Sequence, residues 1–589
     1  MLRTRLLGRG QSLTDEVARP IHADSGPSLI SPVYGDEVST HEVTNQVPPL
    51  PGYNVISADP ALQEGIQRWG EAQDRTELEA LGSLAGGAEV QTWGDLADGN
   101  PPVLHTYSPQ GDRIDEVDFH PAWHHLMGTA VSHGLTAEPW TKPTGTGAHV
   151  RRAAGFVAWS QVEAGHMCPI SMTYAAVPAL QANPDLAAIW TPLLASREYD
   201  FGLRPNATKV GAIAGMGMTE KQGGSDLRTN TTSAVAMASG PLTGGQTYRL
   251  TGHKWFCSAP MSDMFLILGQ APAGPTCFLV PRILEDGTRN TFVLQRLKDK
   301  LGNRSNASAE IELDETWGVR LGEEGRGIRT ILDMVAATRL DCVLGSCATM
   351  RQAFVRALHH TRHRAAFGAP LVDQPLMRNV LVDLALESEA ATTLGLRLAA
   401  AVDENDTAFS RLAVAVGKYW VCKRTAPMVA EALECLGGNG VVEENGLARL
   451  YREAPVNSVW EGSGNVVALD VVRAVTHDPA SVAAFAAELE PARGADRQLD
   501  SAITTAISAL QTTSANADPS ATQLGARAFV EQLATTLQAS LLTRFAPAFV
   551  AEAFVASRLG GAHGHTFGTL PSDIVEVSGA KVIERSFAG

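Results

Sequence analysis

Past residue 58 the apolar positions of this chain fall at helical spacing. Asp59-Pro60 reads as a helix start, with proline in the first turn. Trp123, Met127 and Val131 repeat at four-residue spacing, as one buried helix face requires. From about residue 206 the pattern becomes short alternating runs between Gly- and Pro-bearing turns: Tyr248–Leu250, Met264–Leu268, Cys277–Val280 and Ala309–Leu313. Segments of that length predict a small antiparallel β-domain. The helical period returns near residue 323. Met377, Leu381, Leu384, Ser388, Ala391, Leu394 and Leu398 form one stripe, with Asp383, Glu387 and Arg397 on other faces. That predicts a long amphipathic helix in a bundle. Val530, Leu533, Leu537 and Leu541 give a further stripe near the C-terminus.

These elements divide the chain into five regions: an extended or disordered arm (1–52), a helical domain (53–205), a β-domain (206–322), a helical bundle (323–477) and a further helical region (478–589). Strands and helices are segregated, so the class is α+β; a doubly wound sheet would alternate them. No GxGxxG follows a strand, which removes support for a dinucleotide fold of that kind.

Composition changes the picture at three points. A net charge of −16 makes nucleic acid and anionic membranes poor partners unless basic residues are segregated into a patch. The seven cysteines are scattered with no CxxC pair, which reads as buried, reduced thiols in a cytoplasmic protein. No apolar run approaches the roughly 18 residues of a membrane span. The N-terminus sets Arg3, Arg5 and Arg9 among leucines. A mitochondrial presequence is one reading of it, and a plain disordered extension is the favoured one.

Three segments hold candidate chemistry. Met216–Asp226 combines small residues, hydroxyls and the adjacent Gly223 and Gly224. Such a loop lets backbone N–H groups approach an anionic or polyoxygenated ligand, although alone it also reads as an ordinary turn. Gly252–Ser258 follows, where Trp255 and Phe256 either cover a planar ring or pack in the core. The second segment, Arg362–Gly368 with Gln374 behind it, lies at a break between helices. Arg364 there suits a pyrophosphate, or is a solvated arginine. The third runs from Glu434 through Gly437 and Gly438 to Asn457–Asn465. Glu461 follows Val459-Trp460 and precedes two glycines. A carboxylate wedged on a turn against an aromatic is partly desolvated, which raises its pKa and makes it a better base; an isolated Glu is otherwise a surface charge.

In this order and context the three segments resemble the acyl-CoA dehydrogenase superfamily, and within it the AidB-like branch of DNA-alkylation-response flavoproteins. Met216–Asp226, Lys298–Ser308 and Tyr451–Asn465 carry the likeness, which spans residues 40–477. It implies an N-terminal helical domain, a central β-domain, a C-terminal four-helix bundle and an extra helical region. It also implies FAD, a homotetramer and an acyl-CoA-type substrate. Met216, Met218, Thr219, Gly224 and Ser225 should line the isoalloxazine and pyrophosphate; Phe256 and Ser258 should cover and hydrogen-bond the ring. Arg364, Phe367 and Gln374 should reach the ADP half of FAD in a neighbouring subunit, with Gly437 and Gly438 at the same end. Ser463 and Asn465 should contact FAD beside Glu461, the matching catalytic base. A second base location used by some relatives holds Thr338 here, so that option looks closed.

Two other function classes compete: a role tied to alkylated DNA or alkylating agents, and a flavin oxidase of the same fold. Relatives of the nitroalkane oxidase kind use an aspartate base, which Glu461 is not. For DNA, residues 478–589 carry seven basic residues against eleven acidic, dispersed rather than clustered, so weak non-specific binding is expected. His563 and His565 lack a third ligand at suitable spacing, so no metal is expected.

Overall fold

Asp59 accepts a hydrogen bond from the Leu62 N–H at 3.2 Å, capping helix α1 (Pro60–Trp69) where the sequence places its start. The computed structural model describes residues 40–515 and 519–587. Residues 47–589 make one unit; in the other, residues 1–46, the described part (40–46) has no helix or strand. The tail expected over residues 1–39 lies outside the described residues.

The N-terminal domain continues with α2 (Arg75–Ala85), α3 (Ala88–Gly99), α4 (Pro121–Ser132), α5 (Ala148–Ser160), α6 (Met167–Leu180) and α7 (Pro184–Leu194). Trp123, Met127 and Val131 are all buried on α4. A hairpin of β1 (Val103–Tyr107) and β2 (Arg113–Asp118) interrupts these helices, and the helical period does not show it.

The β-domain holds β3 (Ala214–Gly217), β4 (Ser233–Ala236), β5 (Thr247–Ser258), β6 (Met264–Ala271), β7 (Gly274–Pro281), β8 (Phe292–Leu297) and β9 (Ser308–Leu321) in one sheet. The circuit β6-β4-β5-β9-β7 closes through a β6–β7 pairing, and β8 adds to β9. Most pairs are antiparallel as expected, but β3–β6 and β4–β6 are parallel. The purely antiparallel expectation is corrected there. Met264–Leu268 of β6 is buried on both faces, and such a continuous apolar run suits a strand covered on two sides.

Helices α8 (Gly327–His363), α9 (Pro375–Asp403), α10 (Thr407–Glu434), α11 (Leu447–Glu453) and α12 (Gly464–His477) follow, with a two-residue hairpin of β10 (Ala365–Ala366) and β11 (Ala369–Pro370) between α8 and α9. The C-terminal region contributes α13 (Pro479–Leu489), α14 (Arg497–Ala515), α15 (Pro519–Phe545), α16 (Ala548–Arg558) and α17 (Ser572–Arg585). Val530, Leu533, Leu537 and Leu541 are fully buried on α15, as their stripe predicts.

One expectation needs correcting. The polar positions of α9 do not face solvent: Asp383, Glu387 and Arg397 are buried. The C-terminal region covers them and supplies the partners. Arg558 pairs with Asp383 and Glu387, Arg397 with Glu488, and His563 Nε2 lies 3.0 Å from Asp383. Arg424 of α10 completes the set at Glu387. A buried charge persists only when paired, so these contacts fix how that region seats on the bundle.

Candidate active site

Glu461 sits on the turn between the short helical turn at Val456–Ser458 and α12, with φ 55°, a left-handed value that L-residues rarely adopt. Gly462 follows at φ 105°. Three donors hold this strained pair. Thr338 Oγ1 donates to Glu461 Oε2 at 2.7 Å, Arg339 Nε to the Glu461 carbonyl at 3.0 Å, and Lys418 Nζ to the Gly462 carbonyl. Arg339 is itself held by Asp470 at 2.6 Å. Strain of this kind costs on the order of 1–3 kcal/mol and survives where the surroundings over-determine it. Burial raises the Glu461 carboxyl above its ordinary range, while the Thr338 hydroxyl and the Arg339 and Lys418 charges pull it back in part. Thr338, at the second base location expected from the family resemblance, is thus a hydrogen-bond partner of Glu461. Trp460 packs beside the turn, its Nε1 donating to Asn457 at 2.8 Å.

In the β-domain, Met216 and Met218 are partly exposed and pack on the same apolar cluster as Trp460 and Ala337. Phe256 is 51% exposed because the β5–β9 register shifts between Lys254 and Cys257. A bulge re-aims side chains, and this one presents an aromatic face that the strand would otherwise turn away. Lys298 Nζ lies 4.5 Å from that ring centroid. Gly224 must be glycine, since a Cβ there would come within 2.3 Å of Thr219 Oγ1.

Beneath the loop is a buried pair that the sequence reading missed. Lys254 Nζ donates to Glu220 at 2.7 Å, and Glu220 also accepts from the backbone and hydroxyls of Thr231 and Thr232. Burial pushes the Glu220 carboxyl up, but these donors outweigh it and hold it well below its usual range. Cys168, at the start of α6, was likewise read as a plain buried thiol. Burial pushes it up to about 12; the charges of Lys300 and Glu461 both act on it, and Ser258 and Asn306 are its hydrogen-bonding neighbours. It therefore lies beside Ser258 and within electrostatic range of Glu461. Periodicity has no signal for either finding, because contacts between distant segments set both.

The remaining expected residues divide. Ser463 and Asn465 are exposed at the start of α12 beside Glu461, and Arg527 of α15 donates to Asn465 Oδ1 at 2.9 Å. Arg364 ends α8, Phe367 sits at the tip of the following hairpin, and Gln374 caps the start of α9. Gln374 Nε2 donates to the Ala366 carbonyl at 3.0 Å, and Phe367 is 100% exposed with φ 52°. Gly437 and Gly438 follow α10, and a Cβ on either would meet nothing within 4 Å. Thr338 and Arg364 are the inner and terminal positions of one helix, roughly 39 Å apart at 1.5 Å per residue. That exceeds the reach of one extended dinucleotide. Within a single chain the expected residues are thus two groups, not one.

The first group fits a flavin: a partly exposed aromatic and two methionines for a planar apolar ring, the hydroxyls of Thr219, Ser225 and Ser258 for its polar edge, and a carboxylate of raised pKa. Among the described residues no cluster of three or more His, Cys, Asp or Glu is disposed to hold a metal, and no helix is long and apolar enough to cross a membrane.

A closed β-domain between two helical domains, with a carboxylate of raised pKa and an aromatic-lined cradle, defines a flavin-dependent oxidoreductase of the acyl-CoA dehydrogenase fold. Three family descriptions match in chain order: the adaptive response protein AidB N-terminal domain over residues 45–201, and the acyl-CoA dehydrogenase middle and C-terminal domains over 215–316 and 325–476. The putative acyl-CoA dehydrogenase AidB of Escherichia coli K12 is 48% identical over 469 residues, covering 79% of this chain and 86% of that one. Caenorhabditis elegans ACDH-11, solved in complex with C11-CoA, superposes with a TM-score of 0.79 at 25% identity, over 94% of this chain and 98% of that one. An acyl-CoA dehydrogenase from Bacillus anthracis complexed with FAD shares the fold at a TM-score of 0.59 and 15% identity, over 79% and 81%. The chain belongs to the acyl-CoA dehydrogenase family, in its AidB-like branch, and its cofactor is FAD.

Proposed function

We propose that the chain oxidises an acyl-CoA-type thioester across its α and β carbons, with Glu461 as the base. The observation that carries this reading is Glu461 itself: a carboxylate raised by burial, held by the Thr338 hydroxyl, and acting on the same buried Cys168 that Ser258 neighbours. An α-proton beside a thioester is weakly acidic, so a positioned acceptor of raised pKa is what its removal needs. Glu461 takes that proton from Cα, and the freed electron pair forms the new C=C bond. Bound FAD supplies the acceptor for the hydride that leaves Cβ. Thr338, Arg339 and Lys418 keep the acceptor oxygen and its backbone in place. Trp460, Met216 and Met218 exclude water from the reacting carbons.

The second group of residues completes the site from another copy of the chain. Arg364, with Phe367 at the tip of the exposed hairpin, Gln374 at the start of α9 and Gly437 and Gly438 over open space, presents a surface for the adenosine end of a cofactor whose ring lies in a second subunit. Reciprocal exchange, in which every copy gives one group and receives the other, needs at least two copies of the chain, and the homotetramer implied by the family resemblance satisfies it.

Glu461→Gln tests the role of the base. The nearly isosteric variant should retain FAD and its fold. It should lose anaerobic bleaching of the flavin by acyl-CoAs by about 100-fold or more, the usual cost of removing a general base. Bleaching within about threefold of the parent assigns the base elsewhere.

A further inference from the structure

The loop between β8 and β9 contains a cation that the proposed reaction has not used. Lys300 Nζ donates to the Asn306 carbonyl at 2.6 Å and to Ser308 Oγ at 2.8 Å, both neutral acceptors. The other inward lysines of the β-domain are neutralised locally: Lys209 by Asp263 at 2.6 Å, Lys254 by Glu220 at 2.7 Å and Lys298 by Glu310 at 2.8 Å. The carboxylates of Glu453 and Glu163 act on Lys300 only through space. Both have nearer donors: Glu453 accepts from the backbone and side chain of Asn303, and Glu163 from Gly165, His166 and Ser305. Burial moreover pushes Glu453 up to about 7, so it is partly neutral near physiological pH.

The position of Lys300 gives its charge a target. Ser308, which it holds, is the cross-strand register partner of Ser258, the residue at the expected polar edge of the flavin ring. Paired residues of antiparallel strands have Cα atoms about 4.5–5.5 Å apart. Cys168 is close enough to Lys300 and Glu461 to feel both charges. Among the described residues no carboxylate is in ion-pair contact with this ammonium, so negative charge arriving beside it is matched more fully than its distant partners allow. In the proposed reaction it does arrive: Glu461 takes H+ from Cα, the hydride from Cβ carries two electrons and one negative charge to FAD, and the acyl chain gains its C=C bond.

We infer that Lys300 is an electrostatic positioning residue of the flavin site, fixing the Ser258–Ser308 edge and favouring two-electron reduction of bound FAD through a charge that no carboxylate pairs in direct contact. This rests on the placement of the flavin ring at Ser258 but not on the identity of the base. Burial lowers the Lys300 ammonium to about 8, which leaves it mostly charged at neutral pH.

The test is the midpoint potential of bound FAD in the full-length holoprotein, read by reductive titration against a reference dye without substrate. Lys300→Gln keeps donors and removes charge. It should make reduction less favourable by about tenfold, or about 30 mV for a two-electron couple. Lys300→Arg keeps the charge and should stay within about twofold of the parent. At pH 7.5, Glu453→Gln removes an opposing charge, leaves Lys300 in place and should shift the equilibrium the other way by about threefold. A parent-like potential in Lys300→Gln overturns the inference. If Lys300→Gln does not load with FAD, an unchanged potential in Glu453→Gln overturns it and a threefold rise supports it. Loss of bleaching is not the readout, so failure here leaves the role of Glu461 standing, and failure there leaves Lys300 standing.

Discussion

Two turns of this molecule share one backbone conformation and differ in everything around it. Glu461 at φ 55° is followed by Gly462 at 105°; Phe367 at φ 52° is followed by Gly368 at 86°. The first turn is half-buried, with its carboxylate, its carbonyl and the next carbonyl all held by donors from α8 and α10. The second ends in a fully exposed phenylalanine on a two-residue hairpin. Strain at Glu461 is balanced within the chain. Phe367 and Gly368 are the two loop residues of the β10–β11 hairpin, a turn that takes positive φ at both positions, and the aromatic ring is left wholly in solvent. The comparison sets a carboxylate turn held on every side against a turn left in solvent, and under the proposed function the second is the half offered to another copy of the chain.

That contrast can be broken most strongly at the hairpin. Arg364→Ala should reduce the flavin-to-protein ratio after gel filtration by about tenfold, as loss of a desolvated phosphate contact does. Phe367→Ala should weaken retention several-fold while leaving thermal stability near that of the parent, because its ring buries nothing within the chain. Full flavin occupancy in both variants would place the adenosine end elsewhere.

Thr338→Val sharpens the buried half. Removing the hydroxyl that steadies the ionised carboxylate moves the Glu461 pKa further up. A base must be ionised to act, so the acid limb of the bleaching profile should shift to higher pH, with the loss confined to that limb and little change at high pH. An acid limb unmoved or shifted downward contradicts the bond to Glu461 as a tuning contact.

The smallest effect is expected in the C-terminal region. Of its seven basic residues, Arg493, Arg544, Arg558 and Arg585 are tied to Glu490, Glu488, Asp383 with Glu387, and Glu64 with Glu389. DNA affinity depends on cations free to neutralise phosphates. Fluorescence anisotropy with an unmodified duplex should therefore show no sub-micromolar binding at about 0.15 M salt, where the Debye length is roughly 8 Å. Tight binding that survives that salt would put a DNA-linked role first.

Much of this was legible in the sequence, for identifiable reasons. Stripes such as Trp123-Met127-Val131 and Val530-Leu533-Leu537-Leu541 show at 3.6-residue spacing because one helix face is buried. Glu461 was legible because its neighbours, an aromatic and two glycines, are local. The burial of Asp383, Glu387 and Arg397 was not, because their partners lie 91 to 180 residues away or on another helix. Nor were the Lys254–Glu220 pair, the bulge that exposes Phe256 or the neutral partners of Lys300. Each depends on a strand register that no single segment encodes.

The division of the active centre between two chains is tested most directly by combining two defective proteins. Glu461→Gln retains the cofactor surface and lacks the base; Arg364→Ala retains the base and lacks the surface. In a hybrid made by co-expression, one class of site joins Glu461 of one chain to Arg364 of the other. Anaerobic acyl-CoA bleaching should return in that hybrid well above either parent variant. If both groups act within one chain, every site in the mixture carries a defect, and bleaching no greater than the average of the two variants would contradict the shared site.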